Sequence, residues 1–425
     1  MSFDKLVNDV RSMCEQGKYR HVLELFDRSK ELTLRFRENP DAAMKQFNPS
    51  KHTMGYLLAL KFKLEINVGD PEVFLQQMTH LAEVFHLEQA RKLVDILAFA
   101  FHILTSILVD RKQPQRGLLP LLTAIRRIRE TSSHLTSIHA DYLCLCLAAK
   151  NLPAALSLLD TDILNLNYEG ASFDSRSFLL YFYYGGYIYS ALKKFSRALY
   201  FFEVCLTTPS SAISAIQVEA YKKYVLVSLL LHGKLRSLPK YTSHAIERYI
   251  RNITGVYNDL ATAYVHDKKP LQEMQIVLQS SREEFVKDQN SGLVKQCFAS
   301  LVKRSIQRLT KTFITLSLKD LSERVGLEGG PQEAEHYLLQ MIEAGEIHAS
   351  IDQTQGMISF QDEQLIDGQI VVELEKELRD CMFLGEMLKV MNMNLSKDPK
   401  YVRKTKSTTS GTGFEDSSIK EILSV

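Results

Sequence analysis

From Phe3 to about Lys311, apolar residues recur at spacings of three and four, the period of helices with one buried face. The alternation of a half-buried strand is nearly absent there, so the first three quarters of the chain are predicted to be helical. Within this stretch a short polar turn, an apolar residue and a new helix recur at Gly17-Lys18-Tyr19, Lys150-Asn151-Leu152, Lys193-Lys194-Phe195 and Gly233-Lys234-Leu235. The last three copies start 43 and 40 residues apart, a spacing typical of solenoids built from helix pairs. The clearest copy, 179–210, fits the tetratricopeptide pattern, with Phe182 and Tyr189 in aromatic slots, Gly186 and Ala198 in small slots, Phe202 in the next bulky slot and Pro209 one residue early. Gly186 and Ala198 let two antiparallel helices approach closely, while Tyr189 and Phe202 fill the wedge between repeats. A weaker copy at 143–159 uses Leu143, Cys146, Ala155 and Leu159.

The pattern changes at Ser317. Ser317-Leu318-Lys319-Asp320 is a capping box, Leu318, Leu321 and Val325 share a face, and Gly326 ends the helix. A second helix starts at Gly329-Gly330-Pro331, buries Ala334, Leu338 and Met341, and stops at Gly345. Then Ile347, Ala349 and Ile351 alternate with polar residues, Gln355-Gly356 turns the chain, and Ile358 and Phe360 return, which predicts a hairpin. With a preceding helix at about 305–315, the order is that of a winged helix over 305–362. Beyond it, Ile370, Leu374, Leu378, Cys381, Leu384, Leu388, Met391 and Leu395 mark one long helix over 366–395, whose stripe needs a partner outside a domain that small. Residues 396–425 are rich in Ser and Thr, have no period, and are expected to be a disordered tail. The predicted fold class is mainly α: a TPR-like helical-repeat solenoid, a winged-helix subdomain with a small β-hairpin, and a long C-terminal helix.

Composition narrows the function. A chain of 425 residues with 45% hydrophobic and 24% charged residues falls in the soluble globular class and has room for several domains. The apolar run 96–109, flanked by Asp95 and Asp110 and interrupted by His102, is too short to span a bilayer and reads as a buried helix. The first turns carry Asp4, Lys5, Asp9 and Arg11, which leaves no secretory apolar core. Six scattered Cys fit reduced thiols in an intracellular protein. The net charge of +2 gives no global field for polyanions. Locally the winged helix is acidic: between Arg324 and Lys376 there is no Lys or Arg, but there are eleven acids, among them Glu333, Glu335 and Glu343 on the helix that would enter a major groove. Upstream, Lys303, Arg304, Arg308 and Lys311 read as a solvated helix face rather than a polyanion site.

Catalytic and ligand signatures are missing. There is no His-Glu-x-x-His, Cys-x-x-Cys, Walker loop, Gly-x-Gly-x-x-Gly or Gly-x-Ser-x-Gly; Cys144 and Cys146 point to different sides of one helix, and His134 and His139 have only Asp141 nearby. The run Tyr181-Phe182-Tyr183-Tyr184-Gly185-Gly186 could suggest an aromatic cage or phosphate loop, but its glycines fall mid-helix, where they serve packing. No enzyme, metal or cofactor is expected.

Helical repeats leading into an acidic winged helix and one long helix resemble the PCI family of scaffold subunits, shared by the proteasome lid, the COP9 signalosome and a translation initiation factor. The stretches LTSIHADYLCLCLAAK (135–150), YFYYGGYIYSALKKFSRALYFFEVCLTTP (181–209), EAYKKYVLVSLLLHGKL (219–235), IQRLTKTFITLSLKDLSERV (306–325) and GPQEAEHYLLQMIEAGEIHASID (330–352) resemble the signalosome branch of that family, the likeness running from about Arg111 to Phe360. The periodic stretch divides into TPR-like repeats over 1–210 and a helical part of the PCI domain over 211–304, and the resemblance implies a non-catalytic subunit of the complex that removes Nedd8 from cullins, its isopeptidase being another subunit. It also implies winged helices pairing edge to edge and C-terminal helices joining a common bundle, with signalosome subunits 1 and 8 as neighbours, no membrane or nucleic acid, and residence in cytoplasm and nucleus. The implied wing-edge contacts are Ile347, Ala349, Ile351, Ile358 and Phe360; those of the bundle are the eight stripe residues of the long helix. The readings kept beside it are a sister PCI scaffold and a winged-helix nucleic-acid adapter.

Overall fold

The structure, a computed structural model, describes residues 3–28, 40–66, 69–166, 174–210, 212–266, 270–361, 368–399 and 401–403. Helices α1 (Phe3–Glu15), α2 (Tyr19–Arg28), α3 (Pro40–Gln46), α4 (Thr53–Ile66), α5 (Pro71–Val84), α6 (Leu87–Lys92), α7 (Val94–Asp110) and α8 (Gln115–Ile128) open the chain. Next come α9 (Ile138–Ala148), α10 (Leu152–Leu159), α11 (Ser175–Ala191), α12 (Phe195–Thr207), α13 (Ala215–His232), α14 (His244–Ile253), α15 (Gly255–Val265), α16 (Pro270–Ser280), α17 (Arg282–Lys287) and α18 (Ser291–Thr310). Helices pack on partners a few places away in the chain: α9 touches α7, α8 and α11, and α13 touches α12, α15 and α18. That ladder of near neighbours is how a solenoid builds its core. The buried stripe of α7, Leu97, Ala100, Phe101, Leu104 and Leu108, places 96–109 inside this core, and no described helix is long and apolar enough to cross a membrane.

All four polar turns contain a residue in the left-handed region, Gly17, Lys150, Lys193 and Gly233, with φ of 70°, 55°, 59° and 70°. At the first three, the next amide closes the corner onto the carbonyl five residues back: Lys18 to Met13 (3.0 Å), Asn151 to Cys146 (3.0 Å) and Lys194 to Tyr189 (2.9 Å). The same corner occurs at Lys112 and Gln289, where Gln113 bonds Leu108 (2.9 Å) and Asn290 bonds Phe285 (3.0 Å). These copies have neither Gly nor the polar–apolar spelling, so the sequence pattern misses them. A β-carbon in this conformation costs about 1–2 kcal/mol, part of which glycine returns as chain entropy in the unfolded state. Lys150→Gly and Lys193→Gly are therefore each expected to stabilise the fold by about 0.5–1 kcal/mol in a denaturant melt. Destabilisation by either would show that the lysine side chain holds the corner.

The copy at 179–210 is the pair α11 and α12. Phe182, Tyr189, Ala198 and Phe202 are buried, and an added Cβ at Gly186 would lie 2.7 Å from the Phe202 ring. Gly185 does the same work against Phe201 (2.6 Å) and Leu159 (3.0 Å), so both glycines of the run admit rings from α12. The Tyr189 hydroxyl donates to Asp160 (2.8 Å), tying α11 to the end of α10. Asp174 and Ser214 cap α11 and α13, the latter in a full capping box with Gln217.

Three expectations need correction. The helical region contains a two-residue parallel ladder, β1 (His134–Leu135) with β2 (Asn165–Leu166), too short to show alternation. The helix expected at 305–315 is the end of the 20-residue α18, and Thr315–Ser317 is a strand, β3. The cation Arg304 does not belong to a solvated face: its Nη2 donates to the Leu230 and Leu231 carbonyls (3.0 Å each) and closes the end of α13.

The described residues divide into two compact units after Met341. In the first, α19 (Leu318–Val325) is capped by Ser317 Oγ accepting the Asp320 amide (3.0 Å) and ends at Gly326, φ 83°. Helix α20 (Gly330–Glu343) buries Ala334, Leu338 and Met341 completely. In the second unit, β4 (Ala349–Asp352) and β5 (Met357–Phe360) form an antiparallel hairpin around Gly356, φ 63°, and Asp352 Oδ1 accepts the Thr354 amide at 2.9 Å in the turn. Helix α21 (Gly368–Lys397) extends two residues past the expected end, and 399 and 401–403 are helical again, so the described part of the tail assigned to 396–425 is helical except at Asp398. Residues 404–425 lie outside the described residues.

Candidate subunit interface

Helix α21 has 30 residues and so a length of roughly 45 Å at 1.5 Å per residue. From Leu374 to Leu395 every stripe residue is exposed: Leu374 at 59%, Leu378 at 58%, Leu384 at 52%, Leu388 at 66%, Met391 at 42% and Leu395 at 48%, with the Cys381 thiol also open. Ile370 belongs to the helix, but its side chain lies outside the described residues. Sequence reading missed a second apolar set on the same helix. Val372, Phe383 and Val390, all half or more exposed, fall within about 20° of one another at 100° per residue, on the side roughly opposite the stripe. A wheel plot would have revealed them; counting steps along one stripe did not. A helix apolar on two sides needs cover from more than one direction, the situation of a strand in a multi-helix bundle.

The wing offers a different surface. The Gln361 amide bonds the His348 carbonyl (2.9 Å), so alternation along the register makes Ser350–Ser359 a hydrogen-bonded pair and Ile351–Ile358 a non-bonded one. The Ala349 and Ile351 amides therefore point away from β5, and β4 has no strand on that side among the described residues. Of the five residues assigned to this edge, Ala349 and Ile351 are half-buried, whereas Ile347, Ile358 and Phe360 are buried at 8%, 0% and 9%. Those three are corrected from interface to interior, because the register Ala349–Phe360 and Ile351–Ile358 puts one apolar face inward. What β4 presents outward is backbone, flanked by exposed Glu346, Ser350 and Asp352.

Burial lifts the thiols of Cys14 and Cys146 to about 11 and that of Cys205 to about 12, and raises Cys297 further, so they stay protonated at neutral pH. Among the described residues no three His, Cys, Asp or Glu side chains gather as a metal set. Asp141 pairs with His102 (2.8 Å), not with His134 or His139. His139 is buried, accepts the Thr136 amide at Nδ1 (3.1 Å) and packs edge-on against Tyr181. Burial depresses its pKa to about 3, below the roughly 6.5 of an unfolded histidine, so the unfolded chain binds the extra proton as pH falls through that window. His139 is expected to cost the fold about 1.4 kcal/mol per pH unit below about pH 6.5, down to its folded value. His139→Gln should flatten that slope in melts between pH 7 and pH 5; an unchanged slope would place the titration elsewhere.

The model of "COP9 signalosome complex subunit 3, N-terminal helical repeats" matches residues 16–246, more than half of the chain. The chain belongs to this family. The PCI domain model matches residues 270–362. COP9 signalosome complex subunit 3 of Drosophila melanogaster is 36% identical over 95% of this chain and 94% of its own length, and that of Arabidopsis thaliana is 36% identical over 85% and 84%. The PCI match stops at residue 362, so α21, with its run of exposed apolar side chains, lies outside it. These relatives are subunits of an assembly, which sets the context for an uncovered helix and an open strand edge.

Proposed function

We propose that this chain is a non-catalytic scaffold subunit of the COP9 signalosome, holding together the complex that removes Nedd8 from cullins in cytoplasm and nucleus. The carrying observation is α21, a helix apolar on two sides and exposed along its length. Family membership favours this over a proteasome-lid or initiation-factor scaffold, and the acidic winged helix disfavours a nucleic-acid adapter. Catalysis belongs to another subunit in this reading, and the neighbours are subunits 1 and 8, one meeting the wing edge and both contributing helices around α21. Tagged purification with the co-purifying chains identified by mass tests it: the other signalosome subunits are expected, and recovery of proteasome-lid subunits instead would reject it.

The backbone of the wing separates two proline variants. Ser350→Pro removes an amide bonded within the hairpin and should disorder the wing itself, whereas Ile351→Pro removes an outward amide that an edge strand can spare. Ile351→Pro, and Ile351→Asp with its intact amide, alter a half-buried side chain and are expected to lower the melting temperature less than Ser350→Pro does, while weakening binding to adjacent PCI subunits. Full binding by both would remove β4 from the interface.

A further inference from the structure

We propose that the groove between the 234–236 loop and helix α15 is a docking site for a short peptide segment of a partner protein, one in which carboxylates flank an apolar side chain. The groove holds about 540 Å³; Lys234 and Arg251 supply its cations, Leu235 and Val265 its apolar wall, and Asn258 and Asp259 its polar rim. It lies wholly within the first unit, and the proposal does not depend on α21, the wing or the signalosome assignment.

Both cations stand on fixed backbone. Ser228 Oγ donates to the Lys234 carbonyl (3.0 Å) and accepts the Arg236 amide (2.9 Å), and the Tyr224 hydroxyl donates to the Arg236 carbonyl (3.3 Å). The Arg304 guanidinium fills the space beside Gly233 and holds the helix end from which the loop departs. On the other bank, Asn258 Nδ2 donates to the Arg251 carbonyl (3.0 Å), and Asn258 Oδ1 accepts from Tyr221 (3.1 Å). A binding surface prepared this way loses little freedom when occupied.

Charge indicates the occupant. Residues 232–253 contain five Lys or Arg and a single acid, Glu247, and among the described residues no carboxylate forms a salt bridge with Lys234, Arg236, Lys240 or Arg248. A local excess of positive charge beside an apolar wall favours an acidic ligand with an apolar anchor and speeds its arrival. A single-stranded nucleic acid fits less well, because such sites track many phosphates and stack bases on aromatic faces. This groove has aliphatic walls and only two cations, too few to track a phosphate chain, and Asp259 on its rim is left to accept a peptide amide.

The probe is a phage-displayed library of random dodecapeptides, selected on the immobilised full chain and counter-selected on the Lys234→Glu, Arg251→Gln chain. Enriched sequences are expected to place Asp or Glu beside Leu, Ile, Val or Phe, and a synthetic copy should lose at least about tenfold in affinity on the double variant. Val265→Asp, which leaves both cations in place, should weaken the same peptide, and melts of each variant confirm folding. Equal binding to parent and variants, enrichment without acidic residues, or tighter binding of an oligouridylate than of any selected peptide would overturn the proposal.

Discussion

Leu378→Glu combined with Leu388→Glu is expected to release the chain from its complex while leaving its own stability unchanged. Both side chains are more than half exposed, so no packing within the chain is lost. In a bundle each leucine would gain about 1.5–3 kcal/mol from burial, and a glutamate in its place would be stranded without a partner. A double substitution thus removes several kcal/mol of docking free energy, enough to change occupancy by orders of magnitude. Phe383→Glu on the opposite side is expected to weaken assembly as well, since a helix apolar on two sides is covered on both. Assembly insensitive to Phe383→Glu but abolished by the leucine pair would reduce α21 to a single docking face.

The second large effect lies inside the repeats. At Gly186 even a Cβ would stand 2.7 Å from the Phe202 ring, which is itself fully buried, so neither partner can give way cheaply. Overpacking of this kind costs about 1–3 kcal/mol, and Gly186→Leu is expected at the upper end or beyond because α11 and α12 must separate. Gly186→Ala should be milder and partly relieved by Phe202→Leu, which takes away the ring atoms it meets. A melt of Gly186→Leu matching the parent would show that the two helices are not in this register.

Legibility in the sequence followed the physics of each signal. Helical periodicity, the cap at Ser317 and the turn glycines at Gly326, Gly345 and Gly356 are local and appear where they were expected. The small slot at Gly186 was visible because only a missing side chain allows that approach to Phe202. The corners at Lys112 and Gln289 were not, because a residue of ordinary side chain can be forced into a left-handed corner by the packing of the helices on either side. Arg304 looked like one of four surface cations, and only long-range packing shows that it closes α13 some 70 residues away. At the wing, alternation correctly placed Ile347, Ile358 and Phe360 on one face but could not tell whether that face meets this chain or a neighbour. Alternation along a strand reports that a face is covered, not by what.

The most direct test measures cullin deneddylation per assembled complex in a reconstituted signalosome, comparing the parent chain with the Leu378→Glu, Leu388→Glu variant. A scaffold acts only through the amount of complex it holds, so total activity should fall with assembly while activity per intact complex stays constant. A large fall in activity per intact complex would mean that this chain contributes to substrate engagement or catalysis, and would contradict the scaffold account.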